Sequence, residues 1–221
     1  MSVKSELHKV WKRISDPEFR AMKRQMASFR AAHGRGTPER YSDLKPGDVV
    51  LDVGGYHGDR AQRMTDLYGV TVRAFEPHPR FITHMQNRFA GRDDVQVHGY
   101  AMGAEAGKLD LSDDENASSA LVTSGPTVSG DIRPVEDVFK ELGLGGIAVV
   151  KMNIEGGEYD LLPALIETGH IEQIDRLTVQ FHRYSENQIG QRDEIRNGHS
   201  KTHECVWEYP FIWEEWVRKA G

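Results

Sequence analysis

The residues with the clearest chemical meaning begin at one short block. Val49-Val50-Leu51-Asp52-Val53 is an apolar run carrying an acid near its end, and Gly54-Gly55-Tyr56-His57-Gly58 follows at once. That order reads as a buried strand, a tight loop and a helix N-terminus. It is the nucleotide-binding corner of a doubly wound fold. The acid narrows the ligand. A loop that holds a pyrophosphate avoids a carboxylate at the strand tip, because anion would face anion. A carboxylate there suits a ligand with a cationic end, and S-adenosylmethionine carries both an ammonium and a sulfonium. A nicotinamide fingerprint, G-x-G-x-x-G, fails here: aligned on Gly55 and Gly58, its first glycine falls on Val53. Gly54 and Gly58 permit positive φ and close backbone approach, which an ordinary glycine turn would also use.

Further polar groups fall at the carboxyl ends of later apolar runs, where open parallel sheets bind ligands. Glu76, followed by Pro77, stands 24 positions after Asp52. That is near the spacing at which an acid accepts the two hydroxyls of a ribose, and a solvated strand-end acid is the plainer alternative. Ala101-Met102-Gly103 ends the third run as a turn. Lys151-Met152-Asn153-Ile154-Glu155-Gly156-Gly157-Glu158 follows the fourth and opens a helix. Glu155 at the loop tip is placed to hold the methionine ammonium, orient an acceptor hydroxyl or help bind a divalent cation. Glu158, further in, fits an acid favoured by the helix dipole. Gln180 and His182 close the fifth run. A hydroxyl acceptor must lose a proton as it attacks a methyl group, and a histidine near neutral pKa can take it. A structural strand-end histidine is the alternative. No His, Asp and Glu spacing makes a metal site.

The elements that must position these groups alternate. Strands are expected near 48–53, 70–75, 94–99, 147–153 and 177–181. Helices are expected near 58–67, from Phe81 to Phe89, and near 134–142, 157–167 and 184–196. Such alternation is the signature of a parallel sheet. Residues 112–130, rich in Ser, Asp and Gly, read as a loop. The aromatic-rich tail 201–218, with Pro210 between two runs, reads as a closing antiparallel hairpin that includes His199 and His203. Upstream, Leu7, Val10, Trp11 and Ile14 repeat at helical spacing. Ser15-Asp16-Pro17-Glu18 looks like a cap with proline at the first helical position, and Phe19, Met22, Met26 and Phe29 continue a second apolar stripe. His33 to Pro38 reads as a linker. The division is a helical extension over 1–40 and a Rossmann-like domain over 41–221.

Composition limits the partners. Residues 1–40 carry a net +6 and the remainder −12, for a total of −6 over 221 residues. An acidic body argues against a nucleic-acid substrate, whose phosphates need clustered Lys and Arg. The basic N-terminal helices read as an arm packing on its own domain or pairing two subunits. No apolar run is long enough for a transmembrane helix. No secretory signal is evident, and a cytoplasmic location is the default. The single cysteine, Cys205, excludes an intrachain disulfide and any zinc site needing several thiolates.

These motifs together resemble the FkbM-type S-adenosylmethionine-dependent methyltransferases. The resemblance covers roughly residues 48–218. It rests on LDVGGYHG, on AFEPHP, on the Ala101-Met102-Gly103 turn, and above all on VVKMNIEGGEYDLL with QFH after it. It implies a class I methyltransferase fold, α/β with a mostly parallel seven-stranded sheet and the C-terminal antiparallel hairpin. It also implies O-methylation of a small molecule or sugar. It carries Asp52, Gly54 and Gly58 over as the methionine-side loop and Glu76 as the ribose acid, with Gly55, Tyr56 and Pro77 as neighbouring cofactor-binding candidates. Ala101, Met102 and Asn153 complete the cofactor set. His182, Glu155 and Gln180 are the catalytic candidates. Two departures stand out. The family has Asp where this chain has Asn153, and an Ala-Asn pair where it has Gly55 and Tyr56. The competing expectations are a catalytically inactive cofactor-binding scaffold and a nicotinamide-dependent oxidoreductase.

Overall fold

The structure, a computed structural model, describes residues 17–34, 41–112 and 127–220. The helical stripe from Leu7 to Ile14, most of the linker after His33 and the middle of the Ser-rich segment lie outside the described residues.

Seven strands form one sheet: β1 (Val49–Val53), β2 (Thr71–Phe75), β3 (Val95–His98), β7 (Ile147–Met152), β8 (Arg176–Val179), β9 (His203–Tyr209) and β10 (Trp213–Arg218). Their order is β3-β2-β1-β7-β8-β10-β9. All pairs are parallel except those made by β10, which runs antiparallel to both β8 and β9. This is the expected sheet with its closing hairpin. His199 departs from the expected hairpin: it ends a helix, while His203 starts β9.

The strand alternation sends side chains to two cores. Leu51 and Val53 of β1 join a cluster built with α4 (Val135–Leu142) and α5 (Glu158–Glu167). Val50 joins the opposite cluster, with Ala61 and Met64 of α2 (Asp59–Tyr68) and Met85 of α3 (Pro79–Arg88). Helix α6 (Asn187–His199) follows β8 and buries Ile195 in the first core. Helix α1 (Pro17–His33) packs elsewhere: its Phe29 meets Ile212 and Trp213 of the closing hairpin in a third, small cluster.

One layer was not expected. Ala101–Gly103 is a strand, β4, not a turn. It pairs with β6 (Thr127–Pro134), which also pairs antiparallel with β5 (Gly107–Ser112). Residues 127–130 therefore belong to a strand and not to the expected loop. The signal was weak because Gly103, Gly107 and Gly130 interrupt these strands and charged residues alternate through β5, so no apolar run marks them. The neighbours of β1 are β2 on one side and β7 on the other. Their carboxyl ends open a crevice at the point where strand order reverses, and the small sheet walls it.

Candidate active site

The glycine turn is fixed by backbone bonds. The amides of Gly54 and Gly55 both donate to the Phe75 carbonyl, at 3.0 and 3.1 Å. Gly54 has φ +85°, and a Cβ there would lie 2.1 Å from the Asn153 carbonyl oxygen. Only glycine fits between the ends of β1 and β7. Gly58 precedes α2, and a Cβ there would meet the Phe89 ring at 2.6 Å. Its amide is spent on the Gly55 carbonyl. Gly58 thus serves helix packing and lines neither cavity described below. Tyr56 takes a left-handed conformation at φ 50°, a region in which asparagine is enriched and bulky residues are rare. Its ring rests on Phe81 at 4.4 Å.

Asp52 is fully buried, and its partner is Lys151 of β7, whose Nζ lies 3.1 Å from Asp52 Oδ1. The same ammonium donates to the Gly54 carbonyl at 2.8 Å. The strand-tip acid is therefore ion-paired with a lysine of the chain itself, and it also borders the polar cavity described below. The pair ties β1, β7 and the glycine turn together. A lysine inside the apolar run before Met152 was the signal: buried, it needs an acid opposite.

Glu76 is held from below by two backbone amides. Tyr56 N donates to Oε2 at 2.9 Å and His78 N to Oε1 at 3.0 Å. Burial raises its pKa, and those hydrogen bonds oppose the rise. Two cavities meet at this carboxylate. One, of about 300 Å³, lies between Val53, Glu76, Pro77, Ala101 and Met102 and the small-sheet residues Leu109, Leu111 and Ile132. The other, of about 360 Å³, is bordered by Asp52, Gly55, Tyr56, Arg60 and Lys151. Gly54, Glu76, Asn153 and Glu155 line both. The amide oxygen of Asn153 is buried there without a hydrogen-bond partner.

These features fit S-adenosylmethionine. The first cavity offers an apolar slot for a flat base beside a carboxylate with lone pairs left for ribose hydroxyls. The second is polar, and the Asn153 oxygen waits for a donor at the junction. Among the described residues no group of three or more His, Cys, Asp and Glu side chains converges on a metal position.

The β7–β8 side is built from side chains. His182 sits between two carboxylates. Its Nδ1 is 3.1 Å from Glu158 Oε1, and its Nε2 is 3.4 Å from Glu155 Oε1. The His182 amide also donates to Glu158 Oε1, at 2.7 Å. Glu158, fully buried at the start of α5, accepts from Gly156 N as well. Tyr184 donates its hydroxyl to Glu155 Oε2 at 2.6 Å, and Tyr159 donates to the His182 carbonyl at 2.7 Å. Burial alone would lower the histidine pKa; the two carboxylates outweigh it and raise it to about 9. The Glu155 carboxyl is held below its usual range, first by its bond to His182. Glu155 itself has φ 52°, so its tip conformation is maintained by these bonds. The two carboxyl groups thus hold the ring from both sides and favour its protonated form.

Gln180 lines neither cavity; its amide extends the β7–β8 ladder to the Met152 carbonyl. Glu158, Tyr184 and Lys151 were not singled out from sequence. Glu158 looked like a helix-dipole acid, and Tyr184 lies 29 positions from the carboxylate it binds.

Comparisons with known proteins follow the same line. The profile of the Methyltransferase FkbM domain matches residues 52–221. The 2-O-methyltransferase NoeI of Sinorhizobium fredii is 24% identical over 146 residues, which cover 56% of this chain and 60% of NoeI. The match thus spans less than two thirds of that relative. A fibrillarin pre-rRNA processing protein of Methanococcus jannaschii has a similar structure, with TM-score 0.53 at 12% identity, over 89% of this chain and 76% of that one. Aeropyrum pernix fibrillarin, in complex with S-adenosylmethionine, gives TM-score 0.52 at 12% identity, over 87% and 74%. At such identities these two likenesses concern the fold.

Proposed function

Since the chain belongs to the FkbM family of S-adenosylmethionine-dependent methyltransferases, we propose that it methylates a hydroxyl of a small molecule or sugar. S-adenosylmethionine supplies, when bound, a methyl group that an acceptor oxygen takes in line, the C–O bond forming as the C–S bond breaks with its electron pair left on sulfur. The observation that carries the reading is the junction of Glu76, Asn153 and Glu155, where a built nucleoside site meets a carboxylate on a histidine clamp.

Glu76 accepts the ribose hydroxyls, with its two backbone donors aiming it. Pro77, Ala101 and Met102 face the base. Asn153 accepts from the amino-acid end across the second cavity, where Gly54, Gly55 and Tyr56 give the wall. Asp52 acts one step back, through Lys151 and the Gly54 carbonyl. On the acceptor side, Glu155 takes the hydrogen bond of the attacking hydroxyl and the leaving proton. Histidine 182, already protonated, orients Glu155 and is not itself the base. Much of the rate then comes from alignment, worth on the order of 7–11 kcal/mol in well-oriented systems. The name of NoeI, a 2-O-methyltransferase, supports a hydroxyl acceptor. The acidic body supports a non-nucleic-acid substrate.

Turnover is read as S-adenosylhomocysteine released with hydroxylated acceptors, beside calorimetric binding of S-adenosylhomocysteine. Glu155→Gln is expected to lose turnover at least a hundredfold, far more than it loses in cofactor affinity, and His182→Ala to lose less. Full turnover by both variants would refute these roles. Cofactor binding without any acceptor turnover would instead support the scaffold reading.

A further inference from the structure

A third cavity, of about 550 Å³, lies outside the part of the chain that holds the cofactor groups. Its walls are Phe19, Met22 and Gln25 of α1, the segment 183–186 after β8, and Pro210 and Phe211 in the β9–β10 turn. Tyr184 lines it, and the Tyr184 hydroxyl donates to Glu155 Oε2. One side chain therefore separates this cleft from the carboxylate that lines both cofactor cavities.

The cleft is apolar at its centre and electrically balanced at its edge. Phe19, Met22, Tyr184 and Phe211 provide the apolar and aromatic surface, and Met22 and Tyr184 are 48% and 42% exposed. Its arginine, Arg183, is paired with Glu186 at 2.6 Å and lies over the Phe211 ring. Such a surface does not select an anion. Backbone strain traces the same route. Among the described residues three non-glycine residues have positive φ: Tyr56 in the cofactor loop, Glu155 at the junction and Phe211 at the cleft. Strain of this kind persists where surrounding structure over-determines it and clusters at functional sites.

We propose that this cleft is the acceptor subsite, taking an uncharged hydroxylated molecule with an apolar ring or chain, such as an aryl glycoside. The inference rests on the methyltransferase reading above. The hydroxyl reaches Glu155 past Tyr184, and the apolar part lies on Met22, Phe19 and Phe211. Helix α1 is then a specificity element, although residues 1–51 fall outside the matched family domain.

The chain carries seven methionines, and ¹³C-methyl labelling makes two of them reporters. Met22 reads the cleft and Met102 reads the cofactor cavity. The full chain is titrated with p-nitrophenyl gluco-, galacto- and mannopyranosides, with the methyl glycosides of the same sugars, with glucose 6-phosphate, and separately with S-adenosylhomocysteine. At least one aryl glycoside is expected to shift Met22 saturably and to bind tenfold or more tightly than its methyl counterpart. Glucose 6-phosphate is expected to leave Met22 in place. Met22→Glu should weaken aryl glycoside binding at least fivefold and leave S-adenosylhomocysteine affinity unchanged. The proposal is overturned if no aryl glycoside shifts Met22, if the shifts fall on Met102 instead, or if the charged sugar binds as well. It is overturned too if Met22 shifts with protein concentration alone, which would make this face a contact between two copies. Failure of S-adenosylhomocysteine to shift Met102 would count against the cofactor reading and not against the cleft.

Discussion

At the β1–β2 end of the crevice, polar groups are set by the main chain. The Gly54 and Gly55 amides share one carbonyl, and the amides of Tyr56 and His78 aim Glu76. At the β7–β8 end the same task falls to side chains: Glu155, Glu158 and Tyr184 gather around His182 from two segments more than twenty positions apart. The first arrangement rests on backbone amides, with burial raising the pKa of its Glu76. The second is an ion cluster whose geometry depends on one proton. The β1–β2 end is therefore expected to be rigid, and the β7–β8 end to respond to the protonation of His182.

The largest test of that contrast is Gly54→Ala. The new methyl would collide with the Asn153 carbonyl in a backbone conformation that L side chains rarely adopt. A loss of folding stability on the order of 4 kcal/mol is expected from strain and overpacking together. Denaturant unfolding reads it, and an unchanged midpoint would show that the turn is not set as described. On the side-chain half, Glu158→Gln keeps the shape and removes the buried charge that holds His182. About 3 kcal/mol should be lost near neutral pH, the range for charge-assisted bonds to a buried group.

A pH series comes next in size. The His182 pKa is raised to about 9 in the folded protein, against an ordinary 6.5. Its stabilising contribution is fully present below pH 6.5 and is lost as pH rises through 9. Between pH 7 and 10 the wild type should lose about 2.5 kcal/mol from this group, and Glu158→Gln should lose much less over the same range. Parallel curves for the two proteins would break the comparison. The smallest effect belongs to Glu76→Gln. One charge-assisted acceptor is lost to the ribose, so S-adenosylhomocysteine should bind about tenfold more weakly, with no change in the alkaline limb of stability.

The same contrast explains what the sequence revealed. The local build of the β1–β2 end was legible because its parts are contiguous: a strand, a glycine turn and, at the next strand end, an acid. The mostly parallel character of the large sheet followed from alternating runs, and its closing antiparallel pair from the aromatic hairpin. The meaning of Asp52 was not legible, because its compensating charge, Lys151, arrives from a strand that adjoins it only in the folded sheet. Glycine 58 was read as a ligand-approach position, whereas Phe89, brought in by α3, requires its missing side chain. The histidine's role was only half visible. Its place at a strand end was clear, but its protonation depends on Glu158, which a local view assigned to the helix dipole. The small sheet was missed because glycines interrupt strands that lack an apolar run.

The most direct test of the side-chain half is the titration of His182 itself, followed by its imidazole resonances in the full chain and assigned by loss of the signal in His182→Ala. A midpoint near 9 is expected, falling toward 6.5 in Glu158→Gln. A wild-type midpoint at or below 6.5 would contradict the clamp and return His182 to the role of a base.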